Sequence, residues 1–228
     1  MQIRDMFNNI HKRYDTLNHL MSAGRDIAWR RTCCKKLPKK ENAIVLDLCG
    51  GTGDFSIAYK KVANPKLSIV GDFADKMLQV ASQKDLSLIP IQMDATNIPL
   101  NDNSVDIILN GFGMRNISNL DLAFSEAFRV LKAGGYFATL EFFKSEKIIP
   151  KLFYQKIAPL IIPFAGMILS KRNAYRYLVF SIMNFISPQE YAAKARAAGF
   201  ALRSINALDG GLAYIVLVEK NEILGEQS

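Results

Sequence analysis

The stretch Ala43-Ile44-Val45-Leu46-Asp47-Leu48-Cys49-Gly50-Gly51-Thr52-Gly53-Asp54 decides the fold. Its first half is a short apolar run, the pattern of a strand buried on both faces. Glycines follow at once, and Asp54 to Val62 then reads as a helix. The same alternation continues outward. Leu67 to Asp72 is a second strand, and Asp75 to Gln83 is a helix with Met77, Leu78 and Ala81 inward. Leu88 to Met93 is a third strand, which Pro90 places away from the sheet centre. Val105 to Asn110 is a fourth. Leu120, Phe124, Phe128 and Leu131 mark a helix face that Gly134-Gly135 stops, and Tyr136 to Phe142 is a fifth strand. Strand alternating with helix predicts right-handed crossovers and a parallel sheet covered on both faces.

The flanks read differently. Residues 1–36 are helical in pattern, with Phe7, Ile10, Tyr14, Leu17 and Met21 on one apolar stripe. Gly24 breaks that stripe, and a second helix carries Ile27, Trp29 and Arg30 before Pro38. The block 144–186 is rich in Phe, Ile, Pro and Tyr and reads as an insertion over the sheet's carboxyl edge. Ser187-Pro188-Gln189-Glu190 is a capping box opening a helix that ends at Gly199. Phe200 to Leu208 and Ala213 to Glu219, joined by Asp209-Gly210-Gly211-Leu212, predict an antiparallel hairpin. The expectation is one domain over 1–228, with a helical lid at 1–40.

The chain has 228 residues, half of them apolar, enough for one good core. Its three cysteines, with Cys33 and Cys34 adjacent, lack metal-ligand spacing and fit a reduced, cytoplasmic setting. The first residues lack the apolar block of a signal peptide. The longest greasy run, Ile157 to Leu169, is 13 residues broken by two prolines and a glycine; a membrane span needs ~20. The net charge of +8 is compatible with nucleic acid, an anionic membrane surface or simple solubility. Its one cluster, Lys35 to Lys40, reads most simply as a solvated connector.

In open parallel sheets, ligands bind outside the carboxyl strand ends where the strand order reverses. Asp47, Gly51 and Gly53 stand at such an end, and glycine lets backbone approach a ligand closely. Asp72 ends the second strand 19 residues after Gly53, where a carboxylate accepts hydrogen bonds from ribose hydroxyls. Asp94 ends the third, within reach of an adenine amino group. The dinucleotide pattern G-x-G-x-x-G fails, because Ser56 replaces the third glycine. Asp54 opens the helix; a carboxylate there repels a pyrophosphate and suits a sulfonium-bearing amino acid. The expected cofactor is therefore S-adenosyl-L-methionine, with no metal. Five parallel strands and a terminal antiparallel hairpin make the class I S-adenosylmethionine-dependent methyltransferase fold. That fold is an α/β architecture with a mostly parallel seven-stranded sheet and helices on both faces.

Val45 to Asp54 resembles the first motif of the ubiquinone/menaquinone biosynthesis C-methyltransferases. Gly111-Phe112-Gly113-Met114-Arg115-Asn116-Ile117 is similar to that family's signature after the fourth strand. Arg129 to Gly135, Leu140-Glu141-Phe142, Tyr14-Asp15, Asn18, Leu20 to Ser22, Ala174 to Leu178 and Gly210-Gly211 also match, so the resemblance spans nearly the whole chain. It implies C-methylation of a demethylated prenyl quinol, giving menaquinol or the ubiquinol precursor. By position it implies that Thr52, Asp72, Asp94 and Ala95 contact the cofactor. Gly111 stands where the family often has serine, which removes one hydrogen bond to the cofactor.

A sulfonium methyl is electrophilic, so the acceptor must be the reduced quinol, and removing a phenolic proton pushes charge onto the ortho carbon. The site must favour the phenolate and exclude water. Arg115, always charged, is the first candidate for lowering the phenol pKa; the alternative is an arginine paired with a carboxylate such as Asp121. Asn116 neighbours it in the same signature. Tyr14 and Asn18 lie one helical turn apart and could close over the acceptor, or simply pack. His11 and His19, the two histidines, read as surface residues. Glu141 ends the fifth strand as a proton acceptor or arginine partner, and Tyr175, Arg176 and Tyr177 are gate candidates or core cover. The basic balance and the apolar block suit transient contact with an anionic membrane surface, where a prenyl tail resides. The rival is a methyltransferase acting on RNA or another small molecule. Base-amino enzymes carry Asn/Asp-Pro-Pro-Tyr after the fourth strand, whereas this chain has Asn110-Gly111-Phe112-Gly113, so no nucleic-acid partner is expected.

Overall fold

The computed structural model describes residues 3–11, 14–22, 24–144, 177 and 180–221. Three helices come first: α1 (Ile3–Ile10), α2 (Tyr14–Met21) and α3 (Arg25–Lys36). Next come β1 (Ile44–Leu48), α4 (Asp54–Lys60), β2 (Leu67–Asp72), α5 (Asp75–Lys84), β3 (Leu88–Gln92) and β4 (Val105–Gly111). A 3-10 turn at Met114–Asn116 leads to α6 (Leu120–Val130) and β5 (Leu131–Glu141). After the block 144–186, α7 (Pro188–Ala197), β6 (Ala201–Leu208) and β7 (Ala213–Lys220) complete the described residues. Residues 145–176, which hold Tyr175, Arg176 and most of the apolar insertion, lie outside the described residues.

The strand order is β3-β2-β1-β4-β5-β7-β6. The first five strands pair in parallel, and β7 runs antiparallel to both β5 and β6. The sheet and its terminal hairpin are as the sequence predicts, with Pro90 on the edge strand β3. The order reverses between β1 and β4, which sets the glycine loop at the switch point.

Pleat alternation divides β1 between two cores. Leu46 and Leu48 join Phe124, Phe137 and Tyr191 on the α6/α7 face. Val45 joins Trp29, Cys33, Phe55 and Tyr59 on the α3/α4 face. Asp47 shares the pleat side of Val45 and is fully buried. The capping box of α7 forms as expected, with Ser187 and Glu190 bonding each other's backbone N–H.

Three local expectations change. The N-terminal stripe is carried by two helices, because α1 gives way to 3-10 geometry at His11 and α2 begins at Tyr14. Ile27 is 59% exposed, since α3 turns Asp26, Trp29, Arg30, Cys33 and Cys34 inward instead. Helix α6 stops at Val130, ahead of Gly134. Leu131 is already extended and pairs with Val105 across an irregularity in the β4–β5 register.

The turn between β6 and β7 is tied back to α3. Asp209, in the turn between β6 and β7, accepts from Trp29 Nε1 at 2.7 Å and from the Arg25 guanidinium. Among the described residues, no helix is long and apolar enough to cross a membrane.

Gly53 precedes α4 at φ 78°, and a Cβ there would lie 2.8 Å from Leu88 Cδ1 and 3.3 Å from Ala81 Cβ. Gly53→Ala is therefore expected to lower the unfolding free energy by ~1–3 kcal/mol. A denaturant midpoint equal to that of the parent would show that the loop relaxes freely.

Candidate active site

The residues at the carboxyl ends of β1, β2 and β4 enclose a cavity of about 200 Å³. Cys49, Gly51 and Asp72 line it where β1 and β2 end, and Met93, Asp94, Ala95 and Thr96 where β3 ends. Phe112, Gly113, Asn116 and Ile117 supply the wall after β4, while Phe7 and Tyr14 come from α1 and α2.

The loop after β1 is built by close approach. Cys49 has φ 56° and Phe112 has φ 61°, a left-handed conformation that side chains rarely adopt. A Cβ on Gly113 would lie 2.5 Å from Cys49 Cβ, so only glycine lets the two strand-end loops touch. Asn110, fully buried, staples them: its Nδ2 donates to the Leu48 carbonyl at 2.6 Å, and its Oδ1 accepts from Gly113 and Met114 N–H.

Asp72 presents its carboxylate to the cavity while accepting from Gly51 N–H at 2.9 Å and Ala74 N–H at 2.8 Å. Burial pushes its pKa up to about 6, against those backbone bonds. Asp94 is exposed at the rim and accepts from Thr96 N–H and Oγ at 2.8 Å. Tyr14 lies 5.8 Å from Phe7, ring to ring. Burial raises the Tyr14 hydroxyl pKa, so it stays protonated at neutral pH.

Four of the residues expected to touch a cofactor brace the cavity instead of lining it. Asp47 Oδ2 accepts from Ser56 N–H at 2.9 Å and so caps α4, whose own cap position is Gly53. Burial pushes the Asp47 carboxyl up to about 7. Thr52 Oγ1 donates to Asp15 at 2.6 Å and accepts from Lys84 at 3.0 Å, turning toward α2 and α5. Gly53 faces Leu88. Gly111 faces Phe55, whose Cδ1 would lie 3.0 Å from an added Cβ, so a serine there would press on that ring.

Arg115 departs most from expectation. Its side chain is 5% exposed, and its guanidinium pairs with Glu141 at 2.6 Å; Asp121 pairs with Lys194. Arg115 also donates to the Phe112 carbonyl at 2.6 Å and sits 5.8 Å from the Phe142 ring centroid. Glu141, fully buried, also accepts from Phe142 N–H at 2.8 Å; burial raises its carboxyl, and Arg115 pulls it back. Asn116 does reach the cavity, and its Oδ1 accepts from Tyr177 Oη at 3.0 Å. His11 bonds the Asn8 carbonyl and His19 bonds Asp26, both away from the cavity lining.

Sequence reasoning assigned no role to Asn110, Asp15 or Lys84. Asn110 carries a signal, a lone amide closing an apolar strand. Asp15 and Lys84 look like ordinary surface charges, yet Lys84 joins Asp15 at 2.7 Å and Asp54 at 2.6 Å, clasping α2 to the loop.

Known proteins match this arrangement. The profile of the ubiE/COQ5 methyltransferase family matches residues 1–220. The chain is 34% identical to the demethylmenaquinone methyltransferase of Staphylococcus carnosus, over 97% of this chain and 94% of that one. It is 32% identical to proteins of the same name from Staphylococcus aureus, over the same shares. Among solved structures, a Haloferax volcanii putative methyltransferase in complex with the Trm112 activator superposes with TM-score 0.71 at 15% identity, covering 95% of this chain and 98% of that one. A Thermotoga maritima SAM-dependent methyltransferase, possible histamine N-methyltransferase, gives 0.70 at 17% identity, covering 96% and 100%. At these identities the two structures speak to the fold alone. With this fold and a profile match of that length, the chain belongs to the ubiE/COQ5 methyltransferase family, enzymes dependent on S-adenosylmethionine.

Proposed function

We propose that the chain moves a methyl group from S-adenosylmethionine to the ring carbon of a demethylated prenyl quinol, converting demethylmenaquinol to menaquinol. The observation that carries this reading is that Phe112, Gly113, Asn116 and Ile117, from the diagnostic segment of the family resemblance, wall the same cavity as Asp72. The Staphylococcus relatives, which carry the name demethylmenaquinone methyltransferase and match nearly end to end, support the menaquinol assignment.

The residues present fit the cofactor. Asp72 offers a carboxylate for a ribose diol, Gly51 offers close backbone approach, and Met77, Met93 and Ile117 offer apolar flanks for an adenine, with Asp94 and Ala95 at its edge. When bound, the cofactor supplies an electrophilic methyl. The chain's own groups prepare the acceptor. Tyr14 keeps its proton and so acts as a neutral donor. Tyr177 occupies the Asn116 carbonyl oxygen and Asn116 Nδ2 donates one N–H to the Phe112 carbonyl at 3.5 Å, which leaves its other amide N–H for the cavity. Two donors on a phenolic oxygen favour its ionised form. Arg115 acts through position: with its charge matched by Glu141, it fixes Phe112 and Asn116 to the end of β5. Residues 1–40 serve as a lid, since α1 and α2 supply Phe7 and Tyr14 to the cavity and Asp15 holds Thr52.

Incubation with labelled S-adenosylmethionine and chemically reduced demethylmenaquinol is expected to yield labelled menaquinol by mass. Unlabelled quinol alongside methylated RNA would replace this reading with the nucleic-acid one.

Cofactor affinity should depend on pH through Asp72. Its folded pKa is raised, so the carboxylate is lost as pH falls through about 6, and with it an acceptor for the ribose hydroxyls. Titration calorimetry is expected to show affinity rising up to about pH 6 and level above it, with Asp72→Asn weaker and flat across that range.

Arg115→Ala leaves Glu141 buried without its partner, which should destabilise the fold by ~3–5 kcal/mol as well as abolish turnover. Arg115→Met with Glu141→Gln is expected to regain most of the stability while turnover stays low. Recovery of both would reduce the pair to a structural role.

A further inference from the structure

A second cavity, of about 500 Å³, lies between the outer faces of α3 and α4, with His19 of α2 at its edge. Its lining carries four permanent cations, Arg30, Arg31, Lys35 and Lys61, against one carboxylate, Asp54. That carboxylate is already held by Lys84 at 2.6 Å. Arg30 is committed to Asp26 at 2.5 Å and lies 3.9 Å from Asp54. Among the described residues, no carboxylate pairs with Arg31, Lys35 or Lys61. Between these cations lie Ile27, Ile57, Ala58 and Val62, which make an apolar floor. Ile27, Arg31 and Lys35 recur every four residues, so they share one stripe of α3. The exposure of Ile27, 59%, is therefore part of this groove.

We propose that this groove seats the phosphate-bearing headgroup of an anionic phospholipid, and so docks the enzyme on the bilayer that holds its quinol. Charge complementarity carries the assignment. Unpaired cations around a concave apolar floor suit an amphiphile whose charge is a phosphate and whose body is hydrocarbon. A nucleic-acid strand fits less well, because no Phe, Tyr or Trp lines the groove to stack a base. The groove also lies against the lid: α2 turns Tyr14 to the first cavity and His19 to the second. Docking here sets the lid helix beside the membrane surface. The choice of a lipid source rests on the quinol reading above, and the test keeps the two separable.

The full chain is sedimented with vesicles of phosphatidylcholine alone and with an equimolar mixture of phosphatidylcholine and phosphatidylglycerol. Binding to the mixture is expected to be at least about tenfold tighter. Lys35→Glu with Lys61→Glu should remove about tenfold or more of that binding. Arg196→Glu with Arg203→Glu, the same change in charge placed on α7 and β6, should change it by less than about twofold. If the glutamate pair fails to fold, Lys35→Gln with Lys61→Gln serves in its place. Equal losses in the two charge-reversal pairs would overturn the site, because general charge would then explain binding. Binding of free glycerol 3-phosphate through Lys35 and Lys61 as tight as binding of the mixed vesicles would overturn it in favour of a soluble phosphate ester. Tighter binding of RNA through Lys35 and Lys61 than of vesicles would overturn it as well. Turnover on a short-tailed demethyl quinol in free solution should survive in the groove variants. Absence of such turnover in the parent chain would sink the quinol reading while leaving the vesicle result to stand.

Discussion

Everything at the carboxyl edge of the sheet depends on one buried carboxylate, Asp47. The turn from β1 into α4 must pass through glycines, because Gly51 and Gly53 adopt left-handed backbone and Gly53 lies hard against Leu88. A glycine has no side chain with which to cap the helix it precedes. Asp47 supplies that cap from the neighbouring strand. Its second oxygen has no hydrogen-bond partner, so the carboxyl is held at the cost of desolvation. The loop's shape is therefore fixed by a group that never reaches the cavity.

The same division of labour recurs across the site. Asn110 locks two loops together, Arg115 and Glu141 fix the segment after β4, and Lys84 gathers Asp15, Thr52 and Asp54. The charged groups are mostly spent on positioning. What faces the cavity is quieter: one carboxylate on β2, another at the rim, a phenol, an amide and apolar walls. A site of that kind binds and orients, and leaves the reactivity to what it holds.

The sheet was legible because its strands are buried on both faces and so read as unbroken apolar runs, and Pro90 gave the edge. Local hydrogen bonding was legible where it is local, as in the Ser187–Glu190 capping box. The end of α6 was not, because Leu131-Lys132-Ala133 are good helix formers and only the pairing of Leu131 with Val105 makes them extended. The partner of Arg115 was legible only in part: Glu141 stood among the arginine partners beside Asp121, and the choice between them follows from β4 and β5 lying side by side. The orientation of Thr52 was not legible, because it is set by the left-handed glycines on either side of it.

The clasp between Asp209 and α3 bears on how the chain is assembled. Trp29 and Arg25 precede the sheet in sequence, and their anchor lies in the turn between β6 and β7, about 180 residues later. Strand β7 likewise covers the edge of β5 only when residues 213–220 have arrived. During synthesis α3 must wait for this anchor, with the β5 edge open, until residues 209–220 have emerged. Such pairings, distant in sequence, close slowly. The β5 edge and the α3 anchor are thus completed together: a chain cut before residue 209 lacks both β7 and the acceptor that fastens Trp29 and Arg25.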